Sequence, residues 1–153
     1  MTFHHLMFFL HTTGVVLWGG GLAFCYLCLQ PATAAWSQQQ RIRLWYALLP
    51  YYMKIVYWAI AMILFSGFAM LYGEGLRPAP FAWSAMTVTG LVMVILHILL
   101  WAAPLQQFQQ AVDAGNMNLA EGALRQIIRM LGFSLGLGLI TVIFATLGLG
   151  LQS

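Results

Sequence analysis

Two histidines lie inside long apolar stretches of this sequence, and their chemistry needs an explanation. His11 begins the run HTTGVVLWGGG, and His97 interrupts the run VMVILHILLW. An imidazole surrounded by hydrocarbon costs free energy unless it is hydrogen-bonded or bound to a metal. Both positions are therefore candidates for a functional site. The alternative is a pair of core histidines, each hydrogen-bonded to a hydroxyl or a backbone carbonyl group.

Helical spacing places other side chains on the same faces as the two histidines. The shared positions are His11, Gly14, Trp18, Gly21 and Cys25 in the first run, and Met86, Gly90, Met93 and His97 in the second. A b-type haem is bound in this way, with imidazoles from two helices on either side of a ring that lies against small residues. The glycines have a second interpretation, since small residues also let a neighbouring membrane helix approach closely.

Copper is the alternative metal. His4, Met7 and His11 follow one another at spacings of three and four residues, and imidazole with thioether is a ligand set that suits Cu(I). Met93 and His97 would continue the same path along another helix. The sequence leaves haem and copper open, because the same histidines serve both.

The composition places these residues in a membrane. Of 153 residues, 62% are apolar and 6% are charged, which is outside the range of soluble domains. Each crossing of a hydrocarbon layer takes about 20 helical residues. We therefore predict one all-α membrane domain over residues 1–153, a bundle of four transmembrane helices. The predicted spans are about 3–29, 48–72, 83–103 and 127–151.

The links between the predicted spans differ in character. Residues 30–43 form a polar break, and GEGLRPAP at 73–80 forms a loop of helix-ending glycines and prolines. Residues 104–126 are predicted to form an amphipathic helical link with a turn at 113–115. Asn118 followed by Glu121 resembles a capping box that would begin the next helix.

The cationic side chains predict the orientation of the bundle. Four arginines flank the first and third links, whereas the middle link has Arg77 alone; the four are Arg41, Arg43, Arg125 and Arg129. Since positive charge accumulates on the cytoplasmic side, both termini are predicted on the outer side of a bacterial-type cytoplasmic membrane. The net charge of +3 reflects these flanking arginines and indicates no nucleic-acid partner.

The arrangement of these motifs resembles a known membrane family. His11-x-x-Gly14-x-x-x-Trp18-x-Gly20-Gly21, then Pro50, His97 and the stretch AVDAGNMNLAEGALRQIIRMLGFSLGLGLITV (111–142), are similar to the CopD-type copper-resistance membrane domain. That domain is in turn similar to the HemJ-type protoporphyrinogen IX oxidase. HemJ-type enzymes carry an Arg-x-Phe-Asn-Glu segment where this chain has RQIIR at 125–129, without a carboxylate, which places it nearer the CopD-type branch.

The resemblance implies a four-helix bundle in which the histidines of the first and third spans, here His11 and His97, are the functional positions. For the HemJ-type it implies bound haem b and oxidation of protoporphyrinogen, and for the CopD-type it implies copper uptake or tolerance.

We therefore expect a haem-b redox protein, either electron-transferring or oxidase-like, with copper handling as the alternative. Trp18 would pack on the macrocycle, while Arg125 and Arg129 could pair with its propionates. Porphyrin and quinone are the candidate small-molecule partners, and a homo-oligomer or a larger membrane complex is the candidate assembly. A small structural subunit whose histidines serve packing is the third reading of the sequence.

Overall fold

Four long helices make up the described part of this protein. The computed structural model describes residues 3–73 and 81–150, with side chains for 83–146 in the second range. Helix α1 is Phe3–Ala32, with a π-helical stretch at Phe24–Leu29, and α2 is Gln38–Gly73. Helix α3 comprises Phe81–Leu100, a π-helical stretch Trp101–Leu105 that contains Pro104, and Gln106–Asp113. Helix α4 is Met117–Gly150.

Each of the four helices is long and apolar enough to cross a membrane, which confirms the predicted all-α bundle of four transmembrane helices. The described residues contain no strand. The protein is therefore a multi-pass membrane protein, and lipid surrounds its many exposed apolar side chains. Of the predicted loop at 73–80, residues 74–80 lie outside the described residues, and Arg77 with them.

Helix α2 begins well before its predicted span, because a cap starts it in the polar segment. Ser37 Oγ accepts a hydrogen bond from the backbone N–H of Gln40 at 3.3 Å, and Gln40 Oε1 accepts one from the Ser37 N–H at 3.1 Å. This reciprocal pair is a capping box. Residues 38–43, which we predicted as part of a polar break, are thus already helical.

The turn between α3 and α4 lies where the sequence predicts it. Gly115 has a φ of 71°, a left-handed conformation that glycine adopts without strain. Its N–H bonds the Val112 carbonyl at 3.0 Å, and the Asn116 N–H bonds the Ala111 carbonyl at 2.9 Å, which closes the C-terminus of α3.

The predicted capping box at the start of α4 is wrong. Asn116 is the cap, since its Oδ1 accepts a hydrogen bond from the Leu119 N–H at 3.1 Å. Asn118 therefore lies inside the helix, and Glu121 pairs instead with Arg41 of α2. The Glu121 carboxylate, which was expected to cap its own helix, forms an ion pair with another helix instead.

The links before α2 and α4 meet at one end of the bundle, which we call the arginine end. Besides the Arg41–Glu121 ion pair, the Tyr46 hydroxyl donates to Asp113 Oδ1 at 2.7 Å. Gln38 Nε2 donates to the Met117 carbonyl at 3.0 Å. These contacts place the two links at the same end of the bundle, as the sequence predicted, and the cytoplasmic orientation of that end stays a prediction.

The bundle consists of two antiparallel helix pairs, with α1 packed chiefly on α2 and α3 on α4. Gly14 allows the first pair to approach closely. A Cβ atom at Gly14 would lie 2.7 Å from Ile63 Cγ1 and 2.9 Å from the Ala59 carbonyl oxygen. By contrast, α1 and α3 make little backbone contact, and the Trp18 and His97 side chains meet between them.

Gly14→Ala should therefore lower the free energy of unfolding by about 1–3 kcal/mol, because a backbone atom of α2 blocks the added methyl group. The matched control is Gly20→Ala on the same helix, where a Cβ atom would meet nothing within 4 Å. Thermal unfolding in detergent measures both. Equal melting temperatures for the two variants would contradict the close approach of α1 and α2.

Candidate functional site

His97 lies in the centre of the bundle and is completely buried. Its Nδ1 atom lies 3.1 Å from the Met93 carbonyl oxygen one turn earlier in α3. From α1, the indole Nε1–H of Trp18 donates a hydrogen bond to His97 Nε2 at 3.1 Å. The two rings meet edge to face, with centroids 5.0 Å apart and an interplanar angle of 84°. This pair joins α1 to α3 where their backbones are apart.

His11 lies at the interface of α1 and α2, and it is only partly buried. Its Nδ1 atom is 3.1 Å from Ser66 Oγ. The Ser66 hydroxyl itself donates to the Met62 carbonyl oxygen, so towards the imidazole it can act only as an acceptor. Nδ1 of His11 is therefore the protonated nitrogen.

The same reasoning fixes the tautomer of His97. A carbonyl oxygen accepts and an indole N–H donates, so Nδ1 of His97 carries the proton and Nε2 carries the lone pair. Both imidazoles are thus held through Nδ1–H and present Nε2 as the base. Metal-binding histidines are oriented in this way, with the nitrogen that does not bind the metal donating to an oxygen.

The structure does not bring the two histidines onto one metal ion. The His97 imidazole is hydrogen-bonded to Trp18 and so lies at the level of that residue of α1. His11 precedes Trp18 by seven residues, which is about 10 Å along the helix axis. Two nitrogens bound to one ion each lie about 2 Å from it. The Trp18 N–H also occupies the lone pair of His97 Nε2. The donors thus fit a metal in chemistry, but the helices as packed hold them apart.

The two glycines predicted beside a haem lie against α2 instead. Gly14 faces Ile63 and Ala59, and a Cβ atom at Gly21 would lie 3.0 Å from Cε2 of Tyr52. Of their two interpretations, close helix approach is the one that these contacts bear out. Between α1 and α3, Trp18 meets the His97 ring itself.

The predicted copper ligands are distributed over both helix pairs. On α1, Met7 is buried on the face of His11, while His4 is exposed. On α3, Met93 packs towards α4, where a Cβ atom at Gly138 would lie 3.4 Å from its methyl group. Within the described ranges no three His, Cys, Asp or Glu side chains are grouped as a metal site.

The two arginines predicted as propionate partners have different surroundings. Arg125 is largely exposed, and its Nε atom lies 3.8 Å from Glu121 Oε1. Arg129 lines an open groove between α3 and α4 together with Leu96, Gln126, Met130 and Phe133. Neither His11, His97 nor Trp18 lines that groove.

The sequence analysis missed Ser66, the residue that orients His11. The available signal was a hydroxyl in the apolar run MILFSGFAM, because a polar side chain in a membrane helix needs a partner. It also missed two buried donors on α2, Trp45 Nε1 and Tyr52 Oη, which have no hydrogen-bond acceptor among the described residues. Aromatic residues are common in membrane helices, so neither stood out.

Comparison of the chain with protein-family models, with curated proteins and with solved structures gives no match. The resemblance to the CopD and HemJ types therefore stays a prediction.

Trp18→Phe should lower the free energy of unfolding by about 1–3 kcal/mol, because it leaves Nε2 of a buried imidazole without a donor. Trp58→Phe is the control, since that indole is 73% exposed on the outside of α2. The double variant Trp18→Phe/His97→Leu separates the hydrogen bond from the lost ring volume. If the bond stabilises the bundle, the double variant loses less free energy of unfolding than the two single variants lose together. Strict additivity would contradict that contribution.

Proposed function

We propose that this chain is a membrane-embedded redox protein that binds haem b through imidazole nitrogens of His11 and His97, which requires α1 and α3 to shift from the packing described above. One observation carries the proposal. Two histidines in an apolar bundle are both held at Nδ1 by an oxygen, so that Nε2 is the lone-pair nitrogen of each ring, although the Trp18 indole covers that of His97. Purely structural histidines need no common tautomer, whereas axial ligands of haem iron do present one ring nitrogen each.

The residues around the two imidazoles would each have a defined part. Ser66 and the Met93 carbonyl hold the rings in orientation through Nδ1. Trp18 covers Nε2 of His97, so its indole is the group that must move aside for a ligand there. Bound haem would supply one-electron transfer, and the apolar core would exclude water from it.

The setting of this activity is part of the proposal. The arginine end would face the cytoplasm of a bacterial-type cell, with both termini outside. Among candidate substrates, porphyrin and quinone are apolar enough to reach the bundle from the surrounding lipid. The space between α1 and α3, where the backbones are apart, is the place where such a molecule would approach His97.

An absorption spectrum of the detergent-purified protein, air-oxidised and then dithionite-reduced, tests haem binding. We expect a Soret band with α and β bands that sharpen on reduction, because the two imidazoles would hold the haem. His11→Ala and His97→Ala should each lose or shift these bands. His4→Ala is the control and should leave them unchanged, since His4 lies exposed near the end of α1.

Protein produced with an ample supply of haem but with a flat visible spectrum would overturn the haem proposal. A spectrum that changes in one histidine variant only would retain haem but remove the other residue from its ligands.

Copper handling is the second candidate, and a different observation favours it. Met7 is buried one helical turn from His11 and on the same face, so a thioether lies next to the half-buried imidazole. Thioether and imidazole together suit Cu(I), which the protein would carry as cargo. This reading does not require His11 and His97 to meet.

Cu(I) titration against a chromophoric chelator tests the second candidate. Met7→Leu keeps the volume of the buried side chain but removes its sulfur, and should weaken Cu(I) binding about tenfold or more, as His11→Ala should. Met53→Leu, at a buried methionine in the arginine half of the bundle, is the matched control. Equal Cu(I) affinity in the Met7→Leu variant and the unchanged protein would rule out this site.

A further inference from the structure

A groove on the outside of α3 and α4 has a polar end and an apolar end. It has a volume of about 430 Å³ and is lined by Leu96, Gln126, Arg129, Met130 and Phe133. Gln126 and Arg129 are one helical turn apart and nearest the arginine end. Met130 and Phe133 follow along α4 towards the middle of the bundle. From the arginine end towards the middle of the bundle, the lining of the groove thus changes from hydrogen-bond donors to apolar side chains.

Arg129 is a cation without a counter-charge inside the part of the protein that the structure describes. The two carboxylates described there are used elsewhere. Asp113 accepts from Tyr46, and Glu121 pairs with Arg41 and lies 3.8 Å from Arg125. No ion pair forms at Arg129 among the described residues. The charge in the groove therefore favours an anionic occupant.

The depth of the groove identifies the class of that anion. Arg129 is the last charged residue of α4 before its long uncharged run, the position at which long cationic side chains extend towards lipid headgroups. One turn deeper, Phe133 is 60% exposed on the surface that faces lipid. A soluble anion would match Arg129 and Gln126 but would leave the apolar part of the groove empty. A phospholipid matches both parts in the correct order.

We propose that this groove binds one anionic phospholipid. Its phosphate accepts hydrogen bonds from the Arg129 guanidinium and the Gln126 amide, and one acyl chain lies along Leu96, Met130 and Phe133. This site is separate from the two histidines and does not depend on haem or copper.

Native mass spectrometry of the intact protein, with added phosphatidylglycerol or phosphatidylcholine of identical acyl chains, tests the proposal. We expect tighter binding of one phosphatidylglycerol, and a loss of about fivefold in its affinity in Arg129→Gln. Arg43→Gln is the matched control, since it removes the same charge from an exposed arginine of the arginine end on α2. The phosphatidylglycerol affinity of Arg43→Gln should equal that of the unchanged protein.

Three further measurements separate the parts of the site. Phe133→Ala should weaken both lipids, because it shortens the apolar wall of the groove, and Arg129→Lys should retain a preference for phosphatidylglycerol. Excess glycerol 3-phosphate should not displace the bound lipid. Equal binding of the two lipids, an equal loss in Arg43→Gln and Arg129→Gln, or displacement by glycerol 3-phosphate would each overturn the proposal. Circular dichroism and the melting temperature establish that every variant is folded.

Discussion

A hydrocarbon layer offers no water to a polar side chain, and this constraint shapes the interior of the bundle. The threonines meet it locally, since Thr12, Thr13 and Thr141, for example, donate to a carbonyl one turn earlier. An imidazole is too large and carries too many polar atoms for that solution alone. His97 uses its own backbone through Nδ1 and the Trp18 indole of another helix through Nε2. The need to satisfy one buried ring therefore connects two helices whose backbones hardly touch.

The same constraint gives the bundle two ends with different chemistry. At the arginine end, side chains can reach water, and charged and amide groups connect the starts of α2 and α4. The Arg41–Glu121 ion pair is partly buried, and it joins α2 to α4 in one register. Towards the opposite end of the bundle, where α1 begins, close packing holds the helices together, for example at Gly14 against Ile63. His11 lies in this half, where its half-buried ring is oriented by Ser66.

Polar chemistry is thus placed at three separate positions, and each suits a different kind of ligand. His97 lies in the closed core, His11 lies at the α1–α2 interface with none of the described residues bonded to its Nε2, and Arg129 lies at the lipid surface. The sequence pattern predicted that all three belong to one haem site, with the two imidazoles as ligands and the arginine as a propionate partner. In the packed bundle the arginine faces a groove of its own, and the two imidazoles lie at different depths. This separation is why a redox site and a lipid site can be proposed side by side.

The amino-acid sequence is enough to predict the four helices, the two histidines inside them and the turn at Gly115, because each depends on local composition, on helical period or on one backbone conformation. It could also have predicted the cap at Ser37 from its SQQQ motif. Which side chains the histidines contact depends instead on how the helices pack. His11 and Ser66 are 55 residues apart, and Trp18 and His97 are 79 apart. Such pairs depend on the rotation of each helix about its axis and on the register between helices, and neither is encoded in the spacing within one helix.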